Sequence, residues 1–150
     1  VMIDAQGMPK VIEFNCRFGD PETQPIMMRL QSDLVTLCQA ALSGDLANQT
    51  IEWDPRPSIG VVLAAEGYPS NYRTGDPIAG LTDISDPDVK VFHAGTKLTN
   101  GSVCTSGGRV LCVTALGADL KDAQTRCYEA TKAISWNGMF YRRDIGWRAL

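Results

Sequence analysis

The sequence predicts an α+β fold on three observations. Apolar runs rich in β-branched residues recur at 58–66, 89–96 and 107–117. An Asn100-Gly101 pair, the strongest short hairpin signal, sits inside the further unit KLTNGSVCT. Two segments, about 33–43 and 119–134, place apolar side chains at helical spacing. Strands followed by a helix packed on one sheet face let a small α+β domain bury one core. At 150 residues, 44% hydrophobic and 21% charged, the chain has ordinary globular composition, which excludes disorder and low-complexity readings.

The chain opens with VMID and KVIEFNC, two apolar runs around turn formers that include Gly7 and Pro9, so a pair of short strands is expected there. The first strand begins at Val1 without lead-in or initiator methionine, which predicts a piece of a longer protein. RFGDPETQP follows as a loop in which Asp20 and Pro21 cap a short helical turn over 22–29, with Pro25 interrupting it. Ser32 stands as N-cap of the next helix, whose stripe is Leu34, Leu37, Cys38, Ala41 and Leu42 and whose stop is Gly44. Residues 45–57 are polar with two prolines and suit a connection. The expected units are therefore 1–49, a linker at 50–57, and 58–150. In the last unit the strands precede a helix striped by Leu120, Ala123, Cys127, Ala130 and Ile134, and a short strand over 138–142 closes the pattern.

Charge and composition remove several function classes. Fourteen basic against 17 acidic residues give a net charge of −3, and the basic residues form no stripe, so nucleic acid is not an expected partner. No apolar stretch approaches the roughly 20 residues of a membrane span, and VMIDAQGMPK lacks the flanks of a signal peptide. Five cysteines, odd in number and without C-x-x-C spacing, read as reduced thiols, mostly in apolar surroundings, of a cytoplasmic protein. With His93 alone among histidines, a conventional zinc cage lacks ligands, and that histidine reads as a hydrogen-bonded strand residue.

Three groups of residues could carry chemistry. If 11–15 is a strand, Glu13 and Asn15 share one face, with α-carbons about 7 Å apart. A carboxylate and an amide oxygen at that spacing suit a small hard cation such as Mg²⁺, or form an ordinary half-exposed polar face. Arg17, Asp20 and Glu22 share the next loop, where an arginine could neutralise a transferring phosphoryl group or simply pair with a carboxylate. Gly107 and Gly108 before Arg109 could let backbone amides approach an anion, with a bidentate contact from the arginine, or could form a plain turn. Tyr72-Arg73-Thr74-Gly75 reads as an exposed turn.

The run VIEFNCRFGDPETQP (11–25) resembles the end of the ATP-grasp core in the phosphoribosylamine–glycine ligase family. SIGVVLAAEGYP (58–69), YRTGDPI (72–78), FHAGT (92–96) and SGGRVLCVTALG (106–117) resemble that family's carboxy-terminal domain in the same order, so the resemblance spans about 1–148. It implies the tail of an ATP-grasp core at 1–49 and a small antiparallel-sheet domain at 58–150. The implied activity is an ATP-dependent ligase of purine biosynthesis that joins glycine to 5-phosphoribosylamine through a glycyl phosphate. Its implied cofactor is Mg²⁺ or Mn²⁺ on Glu13 and Asn15, with Arg17 on the transferring phosphate. Asp20 and Glu22 are implied to have structural or substrate-positioning roles, and Gly107, Gly108 and Arg109 to hold the ribose 5-phosphate.

The resemblance places the amino-terminal domain, adenine-binding hinge, glycine-rich lid and upstream metal carboxylate before residue 1. The isolated chain is therefore expected to be inactive and to self-associate through its exposed edge and helix surface. The RFGDPETQ loop argues against a biotin-dependent carboxylase or other ATP-grasp ligase. A reading from another class is a non-catalytic module whose glycine-rich turns and Arg109 bind anions or a partner.

Overall fold

A computed structural model describes residues 1–150. The chain forms a three-stranded antiparallel sheet with helices on both faces. The sheet consists of β3 (Ser58–Ala64), β4 (Val89–His93) and β7 (Arg109–Leu116), in the order β3-β7-β4. β7 is central because RVLCVTAL is apolar almost throughout, as a strand covered on both faces must be. Ile59, Val61 and Leu63 of β3 join Leu111, Val113 and Ala115 of β7 in the main core. Helix α3 (Leu120–Ala133) closes that face with Ala123 and Cys127, and Ile134 follows it into the core.

The α3 boundaries follow from its ends. Asp119 accepts from the Asp122 N–H at 2.7 Å as N-cap, and the chain turns extended at Ile134. On the opposite sheet face, α1 (Thr23–Arg29) packs against β3 and β7, with Pro25 lying over Gly60 beside Cys112. Pro25 does not interrupt α1, contrary to expectation. It is the third helical residue, where the backbone N–H has no intrahelical acceptor to lose.

The hairpin β5 (Thr96–Thr99) and β6 (Ser102–Thr105) turns on Asn100 and Gly101, both left-handed (φ 48° and 80°) as a two-residue primed turn requires. Helix α2 (Leu34–Ser43) ends at Gly44, which is also left-handed. Its N-cap is Asp33, whose carboxylate accepts from Thr36 N–H, rather than Ser32. Ser32 Oγ instead accepts from Glu52 N–H at 2.8 Å.

Two other expectations change, and one contact appears that none of them named. At the amino terminus, β1 (Met2–Ile3) pairs with β2 (Pro9–Lys10), so Pro9 is in a strand and 11–15 carries no regular structure. The strand expected over 138–142 reduces to one bridge, Phe140 to Ala64. Finally, 52–54 folds back on the end of α1: Gln31 N–H donates to Glu52 O, Asp54 N–H to Arg29 O, and Leu30 bridges Trp53.

An ion-pair chain ties that returning segment to the sheet. Arg56 forks onto Asp54 and reaches Asp88 at 2.9 Å, while Arg126 of α3 reaches Asp86 at 3.0 Å and Asp122 at 3.0 Å. The Arg56 guanidinium holds the Asp54 carboxyl down to about 2.

Candidate functional site

Two of the residues with chemical promise, Asp20 and Arg109, meet where the loop before α1 reaches the start of β7. Residues 11–18 form an exposed, irregular stretch ahead of that loop, so Glu13 and Asn15 extend from a segment whose conformation is not the expected strand. Strand alternation therefore does not relate their side chains: only two residue pairs hold the β1–β2 ladder, which ends at Lys10. No cluster of three or more His, Cys, Asp or Glu side chains able to hold a metal ion forms in the chain. Glu13 and Asn15 provide two hard oxygen donors, a donor set that fits part of a Mg²⁺ or Mn²⁺ shell. Arg17 is exposed and donates from Nη1 to the Phe18 carbonyl at 2.9 Å.

The 19–22 loop is more tightly built. A Cβ on Gly19 would meet the Glu22 carboxylate, the far end of a side chain that would have to swing aside, and Glu22 is also the N-cap position of α1. Thr23 secures the same turn, donating from Oγ1 to the Gly19 carbonyl. This leaves Asp20 projecting toward β7. Its carboxylate accepts from Arg109 Nη2 at 2.8 Å, and its carbonyl accepts from Arg109 Nη1 at 3.3 Å. Two candidate residues 89 positions apart are thus a direct ion pair. The arginine expected beside Asp20 in sequence, Arg17, is not its partner.

The glycines before Arg109 have packing reasons for being glycine. Gly107 lies backbone to backbone against Gly95, with 3.0 Å between the Gly95 Cα and the position a Gly107 Cβ would take. A Cβ on Gly108 would enter the ring of Tyr68 and lie 3.1 Å from Cδ1 of Tyr72. The two tyrosine rings are 6.5 Å apart, so both aromatics of the 66–76 loop cover the start of β7. Asp76 anchors that loop: it pairs with Arg73, and its N–H donates to Thr105 Oγ1 at 3.1 Å. Residues 72–75 are exposed, as expected, and the packing of Tyr72 beside the start of β7 adds a role that exposure alone does not suggest. Tyr68 and Tyr72 at i, i+4 around Pro69 were the available signal.

A cavity of about 500 Å³ opens beside Arg109, bordered by Pro21, Tyr68, Phe140, Tyr141 and Arg142 over a floor from β3. Arg142 is held by Asp144 through Nε at 2.9 Å and Nη2 at 2.7 Å. A second cavity of about 500 Å³ lies along α1 against Arg29 and Trp53 and contains none of the candidate residues. His93, in β4, bonds Thr96 Oγ1 through Nδ1 at 3.0 Å, the structural role expected of it.

Comparison with known proteins now decides the family. Residues 58–148 match the family described as phosphoribosylglycinamide synthetase, C domain. The chain belongs to that family. The C domain takes in β3 to α3 and the terminal turn, so Arg109 and Arg142 lie inside it and Asp20 lies before it. The Arg109–Asp20 pair therefore joins the C domain to the segment that precedes it.

The similarity extends beyond the C domain in both directions. The phosphoribosylamine–glycine ligase of Vibrio cholerae is 62% identical over 150 residues, covering 100% of this chain and 35% of the relative. That of Escherichia coli O157:H7 is 63% identical over 151 residues with the same coverage. The crystal structure of the Thermotoga maritima phosphoribosylamine–glycine ligase superposes with TM-score 0.73 at 30% identity, covering 95% of this chain and 34% of that one. The chain thus spans about a third of the length of the relatives it matches.

Proposed function

We propose that the full-length protein is an ATP-dependent ligase that joins glycine to 5-phosphoribosylamine, and that this chain supplies its C domain together with the tail of its ATP-grasp core. One observation carries the reading: relatives named for that ligase match the whole chain, including the 57 residues ahead of the C-domain match. The residue chemistry supports it. On this reading a glycine carboxylate oxygen attacks the γ-phosphorus of ATP and ADP departs. The amine nitrogen then attacks the carbonyl carbon of the glycyl phosphate, and inorganic phosphate leaves.

Each site residue then has a role. Glu13 and Asn15 hold a Mg²⁺ or Mn²⁺ ion, which when bound neutralises phosphate oxygens. Arg17 offsets charge that grows on the transferring phosphoryl group. Arg109, oriented by Asp20, receives the sugar phosphate, and Gly107 and Gly108 shape the backbone beside it. The division into 1–49, a 50–57 connection and 58–150 belongs to this reading, as do small-molecule partners only and a cytoplasmic setting, which the five unpaired cysteines support.

The test is ADP release by the full-length protein given ATP, Mg²⁺, glycine and freshly generated phosphoribosylamine, each omitted in turn. Release should require both substrates and collapse in a Glu13→Ala/Asn15→Ala variant, and the 150-residue chain alone should show no turnover. Folded full-length protein without substrate-dependent release would overturn the assignment, as would turnover by the isolated chain for the proposed division of labour.

A further inference from the structure

The cavity beside Arg109 has a second cationic arm, Arg142, that no motif of the sequence singled out. The two arginines come from different elements of the C domain, one opening β7 and one after α3. Each is steadied by a carboxylate and still keeps N–H groups without a protein acceptor. Asp20 takes both terminal nitrogens of Arg109 and leaves Nε, while Asp144 takes Nε and Nη2 of Arg142 and leaves Nη1. The turn carrying Arg142 is itself pinned, because Tyr128 Oη donates to the Arg142 carbonyl at 2.8 Å and accepts from Ile145 N–H at 3.1 Å.

Between the arginines the walls are apolar and aromatic: Pro21, Tyr68, Phe140 and Tyr141. Tyr68 can form its wall because Gly108 has no Cβ. Two guanidinium groups with free N–H donors around an aromatic cleft of about 500 Å³ suit a ligand with both an apolar face and an anionic end. Inorganic phosphate has no such face, and an uncharged sugar has no such end.

We propose that this cavity seats the phosphorylated pentose of the amine substrate, with Arg142 as a phosphate-binding residue beside Arg109 and Tyr68 as the wall under the sugar. This rests on the ligase reading above and adds to it the residues that select the substrate. Arg142 is suited to a test because its side chain is 71% exposed, so its replacement leaves the core intact.

In the full-length enzyme, Arg142→Gln should raise the KM for phosphoribosylamine about tenfold, the loss of one charge-assisted contact, while the KM values for glycine and ATP hold. Arg142→Lys should recover part of the loss. Equilibrium binding of ribose 5-phosphate, with ribose and AMP as comparisons, provides a readout independent of turnover. Ribose 5-phosphate should bind more tightly than either, and Arg142→Gln should weaken it by a similar factor. Equal binding by wild type and Arg142→Gln, a common rise in all three KM values, or preference for AMP would overturn the proposal. Absence of ligase activity alongside Arg142-dependent ribose 5-phosphate binding would remove the ligase reading and leave the cavity assignment standing.

Discussion

At the scale of single residues, one position shows how a local choice reaches the site and another how a charge sets stability. Gly108 is glycine for want of space. Alanine there must displace the Tyr68 ring, and overpacking of this kind costs about 1–3 kcal/mol. Gly108→Ala should lower the denaturation midpoint accordingly, and on the proposed function it should also weaken sugar-phosphate binding. A midpoint equal to wild type would show that the ring moves freely.

Asp54 behaves differently, through charge. Hydrogen bonds from the Arg56 side chain and then its backbone N–H hold its carboxyl at about 2 in place of 3.8. Between those values the unfolded chain binds the proton that the folded chain refuses, so stability is gained as pH rises and lost as pH falls toward 2. Urea midpoints measured from pH 5 down to pH 2 should fall less steeply in Asp54→Asn than in wild type, since the variant lacks this titration.

Among the elements, the central strand and α3 have their thiols sealed, and the amino-terminal part does not. Cys127 of α3 is fully buried, its thiol donates to the Val113 carbonyl at 3.0 Å, and burial pushes it up to about 12. Cys112 of β7 is likewise pushed up by burial, and Cys104 of β6 is buried. Cys16 and Cys38 are exposed. A disulfide reagent near neutral pH should therefore modify two thiols rapidly and the other three only on unfolding, because reactivity needs an accessible thiolate. Rapid titration of all five would mean that the sheet and α3 open locally far more often than their packing implies.

For the whole molecule, the uneven distribution of apolar surface is the controlling feature. Val1, Ile3, Val11, Ile12 and Phe14 are exposed along the first segment, Phe14 at 83%, and α2 presents Val35 and Leu42, the latter at 90%. Residues from 58 onward, by contrast, bury a core of twelve side chains beneath α3. Apolar patches of that extent drive association. The isolated chain should sediment with a mass that grows with concentration, and Phe14→Ser/Leu42→Ser should reduce the effect. A single monomeric boundary at every concentration would exclude it.

The elements that sequence reading placed well are those fixed by contacts close along the chain. Alternation, helical spacing, the Asn100-Gly101 turn and the Gly44 stop each depend on neighbours within a few residues, and they gave the α+β class, the strands of the sheet and both long helices. It misjudged elements whose length depends on a distant partner. Residues 11–15 look like a strand and are not one, because β1 offers a ladder only two residues long. The segment at 138–142 has strand character and makes only a single bridge to Ala64. Ser32 lost the helix cap to Asp33 because the returning segment at Glu52 claimed its hydroxyl. The sequence alone determined the family resemblance, the candidate residue types and the local secondary structure. Only the tertiary structure decided that Asp20 pairs with Arg109, that Tyr68 lies over Gly108 and that Arg142 faces the same cavity. Those relations join residues far apart along the chain, and no local periodicity encodes which surfaces meet when the sheet is covered on both faces.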